Sequence, residues 1–534
     1  MGDVFDYVIV GGGSAGCVVA ARLSEDPGAT VCLLEAGGPD RSVLIHAPAG
    51  IAAILPTRLC NWAYETVPQT GLNGRRGYQP RGKTLGGSSS INAMIYTRGH
   101  RRDYDHWASL GNPGWAYEEV LPYFRKAENN ETHTDDPYHG VGGPLNVAEL
   151  RSPSAMDEVF IAAAGQLQIP HNPDFNGERQ FGAGRFQVTH RDGERCSAAR
   201  AYLTPNLGRP NLAVVTRAAA SRLLFEGRRA VGVRYRVGGE EREVRARREV
   251  VVSAGAFGSP QLLLLSGIGP AEALRRHGLE VVHDLPGVGG NLQDHPDYIH
   301  SYRTRPDTET FGYSLPGAVR VLRAALEWRR SRTGFITTNY AEAGAFLCSM
   351  PGLDVPDLQL HFVVGIVDDH NRKLHLGHGY SCHVTLLRPK SRGSVTLATA
   401  DPRAAPLIDP NFLGEEEDMA GMVRGFRLQH QILAAPAFDP YRGRALHPVD
   451  PADEEAVRDA IRSRADTIYH PVGTCRMGPE TDPLAVVDAR LRVRGIDGLR
   501  VVDASIMPTL IGGNTNAPVI MIGEKAADMI RADA

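Results

Sequence analysis

The stretch Val8–Leu23, VIVGGGSAGCVVAARL, decides the fold, because an apolar strand, a glycine-rich turn and a helix follow one another in it. Two motifs overlap in this stretch. Gly11–Gly16 matches G-x-G-x-x-G, the phosphate-binding turn of a dinucleotide fold. Gly12–Gly16 also matches G-x-S-x-G, in which Ser14 would be the exposed nucleophile of an α/β-hydrolase.

An acidic residue downstream favours the dinucleotide interpretation. A second predicted strand, Thr30–Leu34, leads into Glu35, which stands 24 residues after Gly11. A carboxylate at that place accepts hydrogen bonds from an adenosine ribose. A hydrolase nucleophile follows several strands, whereas Ser14 follows the first. The stretch therefore predicts a β-α-β unit whose glycines lie at a pyrophosphate, with Ser14 hydrogen-bonded to it or packed beside it.

Composition excludes several classes of protein. The 534 residues are 42% hydrophobic and 22% charged, with a net charge of -3, which is typical of a globular protein of roughly two to four domains. Nucleic acid is not an expected partner, because no basic excess is present. The seven cysteines form no C-x-x-C pair, and no histidine or acidic spacing is typical of a metal site, so we expect neither disulfides nor a metal.

The start of the sequence and the length of its apolar runs predict the location of the protein in the cell. No basic, apolar leader precedes the first strand, and no run of about 18 apolar residues occurs. We therefore expect a cytoplasmic protein, with peripheral association at the inner face of the membrane left open.

Strand-turn-helix patterns at both ends of the chain flank a middle part with alternating strands. The expected fold is α/β, with a Rossmann-like cofactor domain and an inserted α+β substrate-binding domain that carries an antiparallel sheet. Residues 102–129 are predicted to be helical, and a C-terminal helix over 518–530 is predicted to begin with Asn516 as its cap. The cofactor domain is expected to comprise residues 1–155, 196–300 and 461–534, and the inserted domain residues 156–195 and 301–460.

Two long motifs point to a family. Arg81–His100 reads RGKTLGGSSSINAMIYTRGH, and Gly255–Gly269 reads GAFGSPQLLLLSGIG. With GVGGNLQDH at Gly287–His295 and YHPVGTCRMG at Tyr469–Gly478, the chain resembles the glucose-methanol-choline (GMC) flavoprotein oxidoreductases. Within that family it is most similar to choline dehydrogenases and membrane-associated aliphatic alcohol dehydrogenases of bacteria.

The resemblance implies an extended FAD on the Rossmann-like domain. Some members bond FAD covalently through a histidine, but Ile91 stands at that place here, in SSIN, so we expect non-covalent FAD. The residues expected at FAD are Gly11, Gly13, Ser14, Ala15, Gly16, Glu35, Ala36, Trp62, Leu85, Gly86, Ser89, Asn92, Ala93, Met94, Ile95, Ala220, Asp503, Ala504, Asn514 and Thr515.

The resemblance also implies a catalytic pair, His470 and Asn514. A neutral histidine is a suitable base near pH 7 for the hydroxyl proton of an alcohol, and an asparagine N–H can hold the same oxygen. The implied reaction converts a primary alcohol to the aldehyde by hydride transfer to the flavin, and electrons then pass to a quinone or another acceptor. Tyr469, Asn339 and His361 are expected to contact the substrate.

Three other functions are compatible with parts of the sequence. The same fold could use oxygen and release hydrogen peroxide, or could be a lyase that keeps FAD only as a structural group. The third is the serine hydrolase of the opening motif. A quaternary ammonium alcohol would need an aromatic or acidic cage, for which Tyr469, Tyr340 and Glu342 are candidates.

Overall fold

The structure is a computed structural model, and it describes residues 4–305 and 308–534. The first strand, Val4–Val10, is buried over its last five residues and is followed by the helix Ser14–Leu23 and the strand Val31–Glu35. The two strands pair in parallel. The β-α-β unit predicted from the opening stretch is therefore confirmed, within one to three residues at each boundary.

This unit belongs to a seven-stranded sheet, the first sheet, whose parallel part is extended by an antiparallel hairpin. Val4–Val10 lies between Val31–Glu35 and the long strand Glu240–Val252, which also pairs in parallel with Leu499–Val501 near the end of the chain. The remaining strands of this sheet are Leu212–Thr216, Ala219–Glu226 and Arg229–Val237.

A second seven-stranded sheet, antiparallel throughout, confirms the expected substrate-domain architecture. Its strand Pro296–Thr304 crosses the domain boundary expected after residue 300, so the residue limits of the two domains stay a prediction. The other strands are Gly182–Arg185, Gly312–Tyr313, Ala341–Leu347, Leu358–Val363, Gly377–Leu386 and Asp466–Thr467.

Among the described residues, five two-stranded ladders lie outside these sheets. They pair Tyr64–Glu65 with Tyr78–Gln79, Glu128–Asn130 with Leu145–Val147, His190–Arg191 with Glu194–Arg195, Ile268–Gly269 with His283–Asp284, and Ser394–Thr396 with Leu407–Asp409.

The helical prediction over residues 102–129 is confirmed only in part. Two helices occupy this region, Arg101–Ser109 and Tyr117–Ala127, and the chain turns between them at Gly111 and Gly114, both with positive φ. Pro113 separates the two glycines and has no N–H to continue a helix. The other α-helices are Val43–His46, Ile51–Ile54, Ala155–Gln166, Gly255–Leu265, Ala271–Arg276, Leu315–Ser331, Glu416–Ala434, Glu454–Arg464 and Asn516–Ala532.

The last helix, Asn516–Ala532, packs on the first, Ser14–Leu23. Arg22 and Glu524 form an ion pair at 2.8 Å, and Glu524 is fully buried. Because these residues are separated by almost the whole chain, both ends of the sequence build one layer over the first sheet. In the part of the chain that the structure describes, no helix is both long and apolar enough to cross a bilayer.

Candidate active site

A large cavity of about 1770 Å³ connects the glycine turn with His470. Most of the residues expected at FAD or substrate line it. The exceptions are four residues that lie behind its wall: Gly16, Leu85, Gly86 and Ser89. The lining residues that the sequence predicted are Gly11, Gly13, Ser14, Ala15, Glu35, Ala36, Trp62, Asn92, Ala93, Met94, Ile95, Ala220, Asn339, His361, Tyr469, His470, Asp503, Ala504, Asn514 and Thr515.

The glycine turn leaves bare backbone at the cavity. Gly13 precedes the helix Ser14–Leu23, and its position carries no side-chain cap, so the first N–H groups of that helix are free to bind an anion. A Cβ added to Gly13 would approach only the Ser253 carbonyl oxygen, at 3.9 Å. A Cβ added to Gly16 would lie 1.9 Å from the Gly11 oxygen, so Gly16 serves close helix-strand packing. This division of roles fits a pyrophosphate at Gly13.

Glu35 ends the second strand, as expected for a ribose ligand. Its carboxylate accepts N–H groups from Gly12 at 2.8 Å and from Gly37 at 2.6 Å. Burial raises the pKa of Glu35 to about 7, although both backbone hydrogen bonds act in the opposite direction. Each carboxylate oxygen retains a second lone pair, which suits the hydroxyl groups of a ribose.

Ser14 contacts the other end of the chain. Its hydroxyl donates to Asn516 Oδ1 at 2.8 Å, so its own partner is an amide and not the histidine that a serine nucleophile requires. Asn516 is the first residue of its helix, and Thr515 holds the cap position. The prediction of Asn516 as the cap is therefore wrong, because its side chain is engaged by Ser14.

Asp503 lines the cavity, but its carboxylate is occupied by the protein. It accepts the Gly255 N–H at 2.8 Å, the Ser259 hydroxyl at 2.5 Å and the Ser505 N–H at 2.8 Å. The residue thus fixes the turn at the start of the helix Gly255–Leu265. Gly255 has a φ of +79°, and a Cβ added to it would meet no atom of the described residues within 4 Å. This part of the wall is therefore also bare backbone.

His470 is buried and bonded to a second histidine that the sequence did not single out. The Nδ1 atoms of His470 and His295 lie 3.0 Å apart, and His295 Nε2 lies 3.1 Å from the carbonyl oxygen of Leu387. Because a carbonyl only accepts, His295 Nε2 carries the proton. Burial lowers the pKa of His295 to about 3, so the ring is neutral and its Nδ1 is an acceptor.

The same reasoning fixes the tautomer of His470. Its Nδ1 must donate to His295, and burial lowers its pKa well below the usual value. A neutral ring protonated at Nδ1 has a free lone pair on Nε2. That atom lies 3.2 Å from Asn514 Nδ2. The hydrogen-bond chain thus presents His470 Nε2 as a base.

The orientation of Asn514 is fixed in the same way. Its Oδ1 accepts the Thr97 hydroxyl at 3.1 Å and the Gln359 amide at 2.9 Å. Its Nδ2 therefore faces His470, with two hydrogens to donate. The predicted pair is brought together, and the pair shares one wall of the cavity.

Asp294 positions both histidines. Its Oδ1 accepts the backbone N–H groups of His295 and His470, each at 2.9 Å, and its Oδ2 accepts the Thr467 hydroxyl at 2.6 Å. Burial raises the pKa of Asp294 to about 6. Asp294 and His295 lie in the family-like stretch GVGGNLQDH, and this acid-histidine pair beside a glycine-rich turn was the available sequence signal.

The three residues expected to contact the substrate differ in whether their polar atoms already have hydrogen-bond partners. The Tyr469 hydroxyl lies 2.7 Å from His370 Nδ1, and its backbone has φ of +76°. Asn339 Oδ1 and both ring nitrogens of His361 are buried without hydrogen-bond partners among the described residues, and both side chains line the cavity. Such unsatisfied polar atoms in a cavity wall fit a bound polar group.

The candidates for an ammonium cage differ in position, since Tyr340 and Tyr469 line the cavity and Glu342 does not. The Tyr340 hydroxyl donates to the Ala49 carbonyl at 3.2 Å. Glu342 accepts the Ser154 N–H at 2.7 Å and the Thr338 hydroxyl, and it is not part of the cavity lining.

Comparison with known proteins identifies the family. The GMC oxidoreductase profile matches residues 5–297 with its N-terminal part and residues 389–523 with its C-terminal part. The chain belongs to the GMC oxidoreductase family. Members of this family bind FAD and act on CH–OH groups, which agrees with the bare backbone at Gly13 and with the expected fold and cofactor.

Individual relatives resemble this GMC oxidoreductase over almost its whole length. An alcohol dehydrogenase (acceptor) of Pseudomonas putida is 47% identical over 99% of this chain and 96% of its own. A mitochondrial choline dehydrogenase of Mus musculus is 45% identical over 99% of this chain and 90% of its own. The solved structure of pyridoxine 4-oxidase from Mesorbium loti is 34% identical, with a TM-score of 0.88 over 98% of both chains.

Proposed function

We propose that this GMC oxidoreductase is a dehydrogenase that oxidises a primary alcohol to the aldehyde and passes the electrons to a quinone or another acceptor. The observation that carries the proposal is the bonded series Leu387–His295–His470, which leaves His470 Nε2 unprotonated 3.2 Å from Asn514 Nδ2. A base and a donor that share one oxygen are what alcohol activation requires.

The residues act on the alcohol as a pair. The hydroxyl oxygen accepts an N–H of Asn514 while its proton moves to His470 Nε2, so the developing alkoxide charge is held by a fixed donor. The bond between Asp294 and the backbone N–H of His470 fixes the main chain of that residue, and the contact of its Nδ1 with His295 holds the ring. FAD held by the residues around Gly13 would supply the hydride acceptor, and the cavity wall would orient the substrate C–H for the transfer.

The cavity favours an uncharged alcohol with an apolar chain. Its wall includes Phe311, Val363, Ile366 and Val367, and Glu342 lies outside the lining. A quaternary ammonium group would need a carboxylate or open aromatic faces close by, and the carboxylate candidate is already hydrogen-bonded inside the protein. The polar atoms of Asn339 and His361 remain available for the hydroxyl end of the substrate.

The second candidate is an oxidase that returns the electrons to oxygen and releases hydrogen peroxide. It is favoured by one observation, the 34% identity and 0.88 TM-score to a pyridoxine 4-oxidase. The residues of the His470 site serve both reactions, because they act on the alcohol and not on the acceptor.

One experiment separates these functions. A panel of straight-chain, aromatic, sugar and quaternary ammonium alcohols is mixed anaerobically with the purified yellow protein. Bleaching of the flavin absorbance by uncharged primary alcohols, with slow return of colour in air and rapid return with a quinone, supports the dehydrogenase. Rapid return in air supports the oxidase. Absence of bleaching by every alcohol contradicts both and supports a lyase.

A further inference from the structure

The helix Leu315–Ser331 exposes its leucines instead of burying them. Leu315 is 86% exposed, Val319 50%, Leu322 65% and Leu326 52%. At 100° per residue these four side chains fall within about 60° of the helix circumference. The residues on the opposite side, such as Ala324 and Trp328, are the ones that pack on the protein. A surface helix of a globular protein normally has the reverse arrangement.

A neighbouring loop adds to this surface. Tyr313, which is 46% exposed, forms a bridge with Leu376, which is 78% exposed, and Leu374 is 62% exposed. We call these seven residues the apolar patch. Large exposed apolar patches mark interaction sites, whereas single exposed leucines do not. The members of the apolar patch are Tyr313, Leu315, Val319, Leu322, Leu326, Leu374 and Leu376.

Positive charge surrounds the apolar patch. The helix carries four arginines against one glutamate, and Arg323, Arg329 and Arg330 are exposed. By helix geometry these three flank the leucine stripe on both sides, within about 80° of its centre. Lys373, also exposed, precedes Leu374. This local excess contrasts with the net charge of -3 for the whole chain.

The arginines around the apolar patch favour an anionic bilayer over a second copy of the chain as its partner. A second copy of the chain, related by two-fold symmetry, would bring these arginines against themselves. An anionic bilayer instead accepts the leucines among its acyl chains and pairs the arginines with lipid phosphates. We propose that the apolar patch docks this enzyme on the surface of an anionic phospholipid membrane, with the helix Leu315–Ser331 lying in the interface.

Docking at this face has a consequence for the cavity. The same helix lines the cavity through Gly317, Ala318, Val321, Leu322 and Ala325. The docked protein therefore holds this wall of its cavity at the lipid surface, where apolar alcohols and quinones concentrate. The proposal goes beyond the reaction and does not depend on it, because binding is measured without turnover.

The test is co-sedimentation of the FAD-loaded protein with lipid vesicles. Wild-type protein is expected to sediment with vesicles of phosphatidylcholine and phosphatidylglycerol, and at least tenfold less with phosphatidylcholine alone. The double variant Leu315→Gln, Leu326→Gln is expected to lose at least tenfold in binding, and Arg329→Gln, Arg330→Gln is expected to lose the preference for the anionic vesicles. A matched control is Leu207→Gln, Leu484→Gln, whose leucines are 51% and 48% exposed outside the patch.

The visible spectrum of the bound flavin and the thermal midpoint verify that each variant is folded. The proposal is overturned if wild-type protein ignores anionic vesicles, or if the double leucine variant binds them as well as the control does. A wild-type dimer that dissociates in the double leucine variant, without vesicle binding by either, would assign the patch to a second copy of the chain instead.

Discussion

The rings of His295 and His470 meet edge to face, with their planes 90° apart and their Nδ1 atoms separated by 3.0 Å. One of two such nitrogens must donate and the other accept. The Leu387 carbonyl can only accept, so His295 carries its proton on Nε2 and its Nδ1 is the acceptor of the pair. A backbone carbonyl on the far side of His295 thus determines which nitrogen of His470 is unprotonated and faces Asn514.

Replacement of the base tests the assignment of His470. His470→Ala is expected to retain FAD and to slow anaerobic flavin reduction by alcohol by about 10²–10⁴-fold, the usual contribution of a positioned base. Stopped-flow absorbance measures the rate, and the visible spectrum verifies the bound flavin. Near-normal reduction in a fully loaded variant would refute the role.

Replacement of His295 tests the series of hydrogen bonds. His295→Leu leaves His470 Nδ1 without an acceptor, so the ring is free to carry its proton on Nε2 and the rate of flavin reduction by alcohol is expected to fall. In the wild type we expect the rate to be level from about pH 6 to pH 8, because the lowered pKa keeps His470 neutral. His295→Gln, which restores an acceptor, is expected to recover part of the rate. Identical rates in the wild type and His295→Leu would contradict the series.

Buried neutral histidines predict an acid-sensitive fold. Burial lowers the pKa of His300 to about 4, and the ring, which is not part of the cavity lining, lies 2.6 Å from Gln429 Oε1. The pKa of a histidine in the unfolded chain is about 6.5, so below that pH the unfolded chain binds a proton that the folded chain does not. The free energy of unfolding therefore falls by ~1.4 kcal/mol per pH unit as the pH decreases to about 4. The free energy of unfolding, measured with urea between pH 7 and pH 5, is expected to change less steeply with pH in His300→Gln than in the wild type. An equal dependence on pH in both proteins would contradict a neutral, buried His300.

The bare backbone at Gly13 predicts a variant that folds without its cofactor. Gly13→Ala meets only an oxygen at 3.9 Å, and its φ of −81° suits alanine, so the thermal midpoint of the apoprotein should not change. The methyl group occupies the space of the pyrophosphate, and FAD affinity is expected to fall by on the order of tenfold or more. The matched control is Gly165→Ala, where no described atom lies within 4 Å. Equal FAD affinity in both variants would place the pyrophosphate elsewhere.

Ile91 predicts that FAD is released intact. This side chain is buried in the cavity wall and has no nucleophilic atom, so acid precipitation of the holoprotein is expected to leave the flavin in the supernatant. Absorbance of the supernatant and of the washed pellet measures the two fractions. Flavin that stays with the pellet would reveal a covalent bond at another residue.

Local patterns in the sequence predicted much of the fold, and the family resemblance pointed to the pair His470 and Asn514. The first β-α-β unit is local, so its periodicity and its glycines sufficed. His295 was not singled out, because its partners Leu387 and His470 are 92 and 175 residues away and only the tertiary fold brings them together. Asn516 was misassigned for the same reason, since its partner Ser14 lies 502 residues earlier.

The contacts between the first and last helices make the glycine turn depend on a distant part of the chain. The strand Leu499–Val501 pairs with the first sheet, and the helix that contains Asn516 and Glu524 packs on the helix that follows the turn. A variant truncated before residue 499 would keep the glycines but lose Asn514, the Asn516 partner of Ser14 and the buried partner of Arg22. We therefore expect the order of the glycine turn to be set by residues from the other end of the sequence.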